Sequence, residues 1–205
     1  MAKLNPPIPS GYSPIGPGQL AAIVTFLEMT ARPPVRSRSG FPKPYELVRF
    51  DPSDLAGYRA LFRKIGEKWM WISRLLLSDE TLRAILTDPR VEIFVLRDGN
   101  EAVGLVELDF REAGECELAF FGLAAEAIGK GLGRALMEAA TALAWAKPIK
   151  RWWVHTCTFD HPSAAAFYIR SGFRAYAYQV EVDADPRLTG HFPRDAAPQI
   201  PLIEG

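Results

Sequence analysis

Cysteine is scarce in this 205-residue chain: Cys116 and Cys157 are the only two, far apart and without a C-x-x-C pair. That scarcity excludes a disulfide-stapled scaffold and a thiolate metal cage, so no metal is expected and both thiols read as small buried apolar residues. Charge of one sign is also missing. Twenty-four Lys+Arg offset 24 Asp+Glu, so the chain lacks the basic field with which nucleic-acid and anionic-membrane binders gather affinity; neither partner is expected. Long apolar runs are absent too. The strongest stretch, Leu20 to Leu27, falls far short of the roughly 20 residues of a membrane helix. The opening MAKLNPPIPS has no apolar core and does not read as a secretory signal, so a cytoplasmic location is expected.

What is present describes a globular core. Hydrophobic residues make up 48% and charged residues 23%, close to the average for folded domains. At about 150 residues per domain the length suits one domain with irregular arms. Ten of the 17 prolines fall within the first 52 residues and four after Asp185. Because proline fixes φ and removes a donor, residues 1–18 and 183–205 read as irregular arms.

Between the arms, hydrophobic period and turn chemistry predict an ordered series of elements. Gln19 to Thr30 suits a strand, although Leu20, Val24 and Leu27 would equally line a helical face; it could extend the sheet or build a dimer contact. After a Pro-rich link over 31–44, Tyr45 to Phe50 reads as a strand. Asp51-Pro52-Ser53-Asp54 reads as a helix start with Asp51 at the cap, and a second helix opens at Ser78. Residues 91–98, 102–110 and 115–123 form a meander of three strands. Leu132, Leu136, Ala140 and Leu143 share a helical face. Residues 151–159 are a strand, Asp160 or His161 caps another helix with Pro162 in its first turn, Gly172 stops it, and 173–182 is the last strand. The fold class is α/β (α+β) with a mixed sheet.

The run Ile128-Gly129-Lys130-Gly131-Leu132-Gly133 joins a strand to a helix. Glycines let a ligand approach the backbone, and free amides at a helix N-terminus attract an anion such as a pyrophosphate. Two familiar phosphate motifs fail here. A triphosphatase loop ending at Gly129-Lys130 needs glycine at Ala124 and a hydroxyl at Gly131; a dinucleotide fingerprint needs glycine at Arg134 or Leu136. A nucleotide-dependent oxidoreductase is thereby set aside.

These residues resemble the GNAT superfamily, the acyl-CoA-dependent N-acyltransferases. There a strand leads through R/Q-x-x-G-x-G/A into a helix whose N-terminus holds the coenzyme A pyrophosphate; here the strand ends at Leu123, Gly131-Leu132-Gly133 match, and Ile128 stands where Arg or Gln is usual. A second motif, N-x-x-A-x-x-x-Y-x-x-x-G-F, is met by Ala164, Tyr168, Gly172 and Phe173, with His161 in place of Asn. The resemblance covers about residues 45–182. It implies one acyltransferase domain over 19–182, with a mostly antiparallel central sheet flanked by helices plus an extra N-terminal strand. Acetyl-CoA is the implied cosubstrate, held by Leu123, Ile128, Gly129, Lys130, Gly131, Leu132, Gly133, Arg134, His161, Ala164 and Phe167. Tyr168 matches the general acid toward the departing thiolate. Glu117, six residues before Leu123, matches the general base of histone-type members; strand alternation would put it on the side of Ala119 and Phe121, in apolar surroundings that raise its pKa. Glu107 and His155 compete for that role. Trp69 and Trp71 lie where the acceptor is bordered. The implied activity is N-acetylation of a primary amine of a small molecule or peptide, by a chain that could pair as a homodimer; the alternative is an acyl-CoA-binding sensor without chemistry.

Overall fold

The computed structural model describes residues 5–34 and 40–204; parts of the expected N-terminal arm and of the 31–44 link, and Gly205, lie outside the described residues. Seven strands form one sheet: β1 (Gln19–Met29), β2 (Tyr45–Arg49), β3 (Val91–Asp98), β4 (Glu101–Asp109), β5 (Glu115–Leu123), β6 (Arg151–Cys157) and β7 (Arg174–Ala184). Their spatial order is β2-β3-β4-β5-β6-β1-β7. Every neighbouring pair is antiparallel except β5 and β6, which run parallel over only Glu115–Glu117 against Arg151–Trp153. Four helices are described: α1 (Leu55–Gly66), α2 (Asp79–Leu86), α3 (Leu132–Ala144) and α4 (Ala164–Arg170). A short 3-10 turn, Glu67–Trp69, follows α1.

Of its two readings, Gln19–Met29 takes the strand. It enters the sheet's interior, pairing Val24 with Cys157 on one side and Gln19 with Ala184 on the other. It buries apolar residues on both faces, Ala22 and Val24 on one and Leu27 and Met29 on the other, while Ala21 and Ile23 stay exposed.

Two helix starts differ from expectation. Asp51 accepts from the Ser53 amide and hydroxyl in a local turn, and Asp54 is the cap, accepting from the Gly57 amide at 2.8 Å. An Asx-type turn uses the side chain that would otherwise open the helix, and the start moves by three residues. Likewise neither Asp160 nor His161 caps α4. Asp160 accepts from the Cys157 amide and the Thr156 hydroxyl, His161 Nδ1 accepts from the Ser163 amide, and Pro162 lies ahead of the helix. The start at Ser78 stands as read, its hydroxyl accepting from the Thr81 amide.

A bulge in β5 changes which side chains share a face. Glu107 pairs with Phe120 but Leu108 with Leu118, leaving Ala119 as the extra residue. Cross-strand partners share a face, so Glu117 and Phe120 lie on one side and Phe121 on the other, contrary to simple alternation. Phe120 packs against Phe62 of α1, whereas Phe121 packs against Phe167 and Tyr168 of α4. Helices α1 and α4 thus cover opposite faces. Trp152 and Trp153 also divide: Trp152 is fully buried against Phe173, and Trp153 stacks on Phe26.

The C-terminal arm, though neither helix nor strand past Ala184, is packed. Phe192, Ala196 and Ala197 form a small second core with Met70.

Candidate active site

The short pairing of β5 with β6 is the origin of the site. Beyond Glu117 and Trp153 the two strands separate, and a cleft of about 820 Å³ opens at the gap. It receives ten of the residues singled out from sequence: Leu123, Ile128 and Gly133 at the near end, where β5 leads to α3, Glu117 at the far end of β5, and His161, Ala164, Phe167, Tyr168, Trp69 and Trp71, with the Trp69 and His161 rings 5.3 Å apart. Gly129, Lys130, Gly131, Leu132 and Arg134 do not line it.

At the near end, Gly129 and Gly131 both adopt the left-handed region, with φ of +82° and +77°, which side chains disfavour. A Cβ on either would meet nothing within 4 Å, so the backbone there is open to a ligand. Gly131 is the N-cap of α3, and the first amides of that helix lack intrahelical partners. The flanking residues behave differently. Leu132 is buried in the core, Lys130 donates to the Tyr45 hydroxyl at 3.2 Å, Arg134 pairs with Glu138, and Ile128 is half exposed.

Tyr168 is buried, its ring in edge contact with Phe121, Phe167 and Phe173. Burial, and then the charge of Asp160, push its phenol well above the ordinary value, so it stays protonated at neutral pH.

Toward the far end, Glu117 does not sit in apolar surroundings: its Oε1 lies 3.3 Å from His155 Nδ1. Burial alone would lower the imidazole's pKa, but the hydrogen bond and charge of Glu117 outweigh it and the pKa is raised. The stabilisation this pair adds is complete below about pH 6.5, the ordinary histidine value, and is lost as pH rises through the folded-state value. His155→Gln is therefore expected to destabilise the fold more near pH 6 than near pH 9, read as the gap between wild-type and variant urea midpoints at each pH; an equal gap would dissolve the pair.

Glu107, the other competing carboxylate, is locked away. It is fully buried, accepting from the Tyr58 hydroxyl at 2.5 Å and from Arg74 at 2.6 Å. Sequence reasoning missed the charges that line the cleft around Glu117. Asp109 chelates Arg111 through both carboxylate oxygens. Asp160 accepts from the Trp71 indole at 2.9 Å, and Glu181 and Asp183 of β7 project into the cleft beside Ala22 and Leu20. Burial and the neighbouring Asp183 raise the pKa of Glu181. No local motif marks these residues; Glu181 and Asp183 reach the cleft because β1 carries β7 next to it. Cys157, expected to be buried, is half-buried at the cleft, its thiol pushed up to about 11 by burial. Cys116 is buried as expected.

Solved structures share this fold at low identity. A GCN5-related N-acetyltransferase from Sphaerobacter thermophilus superposes with a TM-score of 0.60 at 15% identity, covering 82% of this chain and 52% of that one. Another from Kribbella flavida gives 0.55 at 17%, covering 84% and 63%. An aminoglycoside acetyltransferase from an uncultured soil metagenomic sample gives 0.52 at 18%, covering 62% and 87%. No curated protein matches the chain significantly. The family model for the GNAT acetyltransferase family matches residues 51–173, which contain both sequence motifs, the glycine cradle and the strand gap. The chain belongs to the GNAT acetyltransferase family.

Proposed function

We infer that the protein transfers an acetyl group from acetyl-CoA to a primary amine of a small molecule or peptide. The observation that carries the reading is one cleft, at the gap between β5 and β6, lined by a buried protonated phenol, by a carboxylate–imidazole pair and by Ile128 and Gly133, which flank the open glycines Gly129 and Gly131. Family membership supports acetyl transfer in general.

The residues present suit the cosubstrate. The open left-handed glycines and the free amides of α3 offer donors to a pyrophosphate, and β5 beyond Glu117 has no strand neighbour on its β6 side, leaving an edge for the amide-bearing arm. Acetyl-CoA supplies the thioester carbonyl and the thiolate leaving group. Glu117, paired with His155, takes a proton from the acceptor ammonium. The amine nitrogen forms the new C–N bond as the C–S bond breaks, Tyr168 gives its proton to the departing sulfur, and the second proton shed by the nitrogen as it becomes an amide restores the Tyr168 phenol. Alignment of the two reactants in the cleft contributes most, up to about 7–11 kcal/mol. The side-chain carboxylates of Glu117, Glu181 and Asp183 in the cleft lining favour a cationic acceptor.

A calorimetric titration with acetyl-CoA, followed by thiol-release assays over a panel of amines, tests the reading. Micromolar binding with release on at least one amine is expected. Tight binding with release on none would select the acyl-CoA sensor, and absent binding would overturn the reading. Gly131→Trp is expected to weaken acetyl-CoA binding at least about tenfold, equivalent to about 1.4 kcal/mol, since a side chain at φ +77° strains the cradle and fills the space before it. Unchanged affinity would place the pyrophosphate elsewhere.

A further inference from the structure

Residues 185–201 follow the last strand and lie outside the family match, yet they hold a buried charge pair. Arg187 and Asp185 are each 2% exposed and joined through both carboxylate oxygens, with 2.7 Å from Nη2 to Oδ2. A buried pair persists when its remaining donors are also satisfied. Here Arg187 donates to the carbonyls of Ile200 at 2.8 Å and Pro201 at 3.3 Å. One guanidinium thus fastens both ends of the segment.

The segment is anchored on two banks of the cleft. On the β1–β7 bank the Asp185 amide donates to the Gly18 carbonyl at 2.9 Å. On the bank formed by the loop after α1, Phe192 and Ala197 pack with Met70, Arg63 donates to the His191 carbonyl at 3.0 Å, and Gln199 to the Lys68 carbonyl at 2.8 Å. Between the anchors, Pro186, Thr189 and His191 line the cleft that Trp69 and Glu181 also line.

We propose that this strap is the far wall of the acceptor site and sets the acceptor class: a compact amine whose body ends inside the cleft, as opposed to an amine carried within a polypeptide. The proposal rests on the acetyl-transfer reading above and narrows its acceptor. An amine on an internal residue brings two continuing stretches of backbone, each about 3.3 Å per residue, which need a groove open at both ends. The strap occupies one of those ends.

The test uses the full chain with acetyl-CoA. The fastest acceptor from a panel of small primary amines is compared with the same aminoalkyl group displayed at the centre of a capped peptide of about nine residues. The compact amine is expected to give at least about 100-fold higher kcat/KM. In the Asp185→Asn/Arg187→Met double variant, which releases the fastening without stranding a charge, the ratio is expected to fall to within about fivefold while acetyl-CoA affinity is retained. Should that variant misfold, Thr189→Gly/His191→Gly keeps the anchors, opens the wall and has the same expected result. Equal use of both acceptors by the wild type, or an unchanged ratio in the opened variant, would overturn the proposal. If acetyl-CoA does not bind, or no amine of the panel releases thiol, the acetyl-transfer reading falls and takes this proposal with it. Turnover on both acceptors removes only the wall.

Discussion

Tyr168→Phe is expected to lower kcat by about 10²- to 10⁴-fold, the usual contribution of a placed general acid, while acetyl-CoA affinity stays within a few-fold. The phenol's surroundings separate chemistry from packing. Its ring lies in a cluster of Phe121, Phe167 and Phe173, and phenylalanine fills the same space, so the fold and the cleft are preserved. Only the proton is lost. Because burial keeps the hydroxyl protonated well above neutral pH, the expected loss is uniform from about pH 6 to pH 9 and does not follow a titration. Single-turnover thiol release, with a parallel calorimetric titration, reads both quantities. A kcat within twofold of wild type would remove Tyr168 from the chemistry.

The second large effect concerns stability. Glu107→Ala is expected to cost about 3–5 kcal/mol of folding free energy, the range for removing one partner of a buried ion pair. Glu107 is fully buried and Arg74 nearly so, with side-chain exposures of 0% and 14%. Without Glu107 the guanidinium loses its counter-charge and the buried Tyr58 hydroxyl its acceptor. Glu107→Gln retains an acceptor for Tyr58 and loses the charge, so it is expected to fall between wild type and alanine. Urea unfolding at constant m-value measures the series. A loss below about 1 kcal/mol in the alanine variant, the level of an exposed pair, would mean that solvent reaches Arg74. Such instability would depress activity through the amount of folded enzyme, so Glu107 variants must be assayed against folded protein.

The legible parts of this molecule are those written in short stretches of chain. Two spaced motifs located the cradle and Tyr168, and local period and turns gave the order of elements from Tyr45 onward. What was not legible depends on pairing at a distance. Nothing within Gln19–Met29 says that it enters between β6 and β7, and that insertion is what brings Glu181 and Asp183 to the cleft. The bulge at Ala119 is one residue counted against a partner strand, so alternation along β5 alone assigned Phe121 to the wrong face. Pro-rich composition marks 183–205 as irregular, and the described residues past Ala184, where β7 ends, hold neither helix nor strand, but composition is blind to Arg187, whose partners are a carboxylate two residues away and carbonyls nine to fourteen residues on. Asp51 and Asp54 illustrate a narrower limit. Both are good caps by type, and a turn at Pro52-Ser53 decides between them.

The place of β1 also governs the order in which the molecule can be made. This strand is synthesised before the rest of the sheet, yet its partners are β6 and β7, the last two strands of the sheet to be made. Until then Val24 and Leu27, both buried in the finished sheet, have no strand to cover them. Closing so long a loop adds little entropy cost beyond a shorter one, because that cost grows only logarithmically, but non-local pairing of this kind slows folding. The sheet is thus completed only once β6 and β7 have been made. A nascent chain of this protein carries an uncovered apolar strand from the making of β1 until that of β6 and β7, and that interval is where a chaperone has the most to shield.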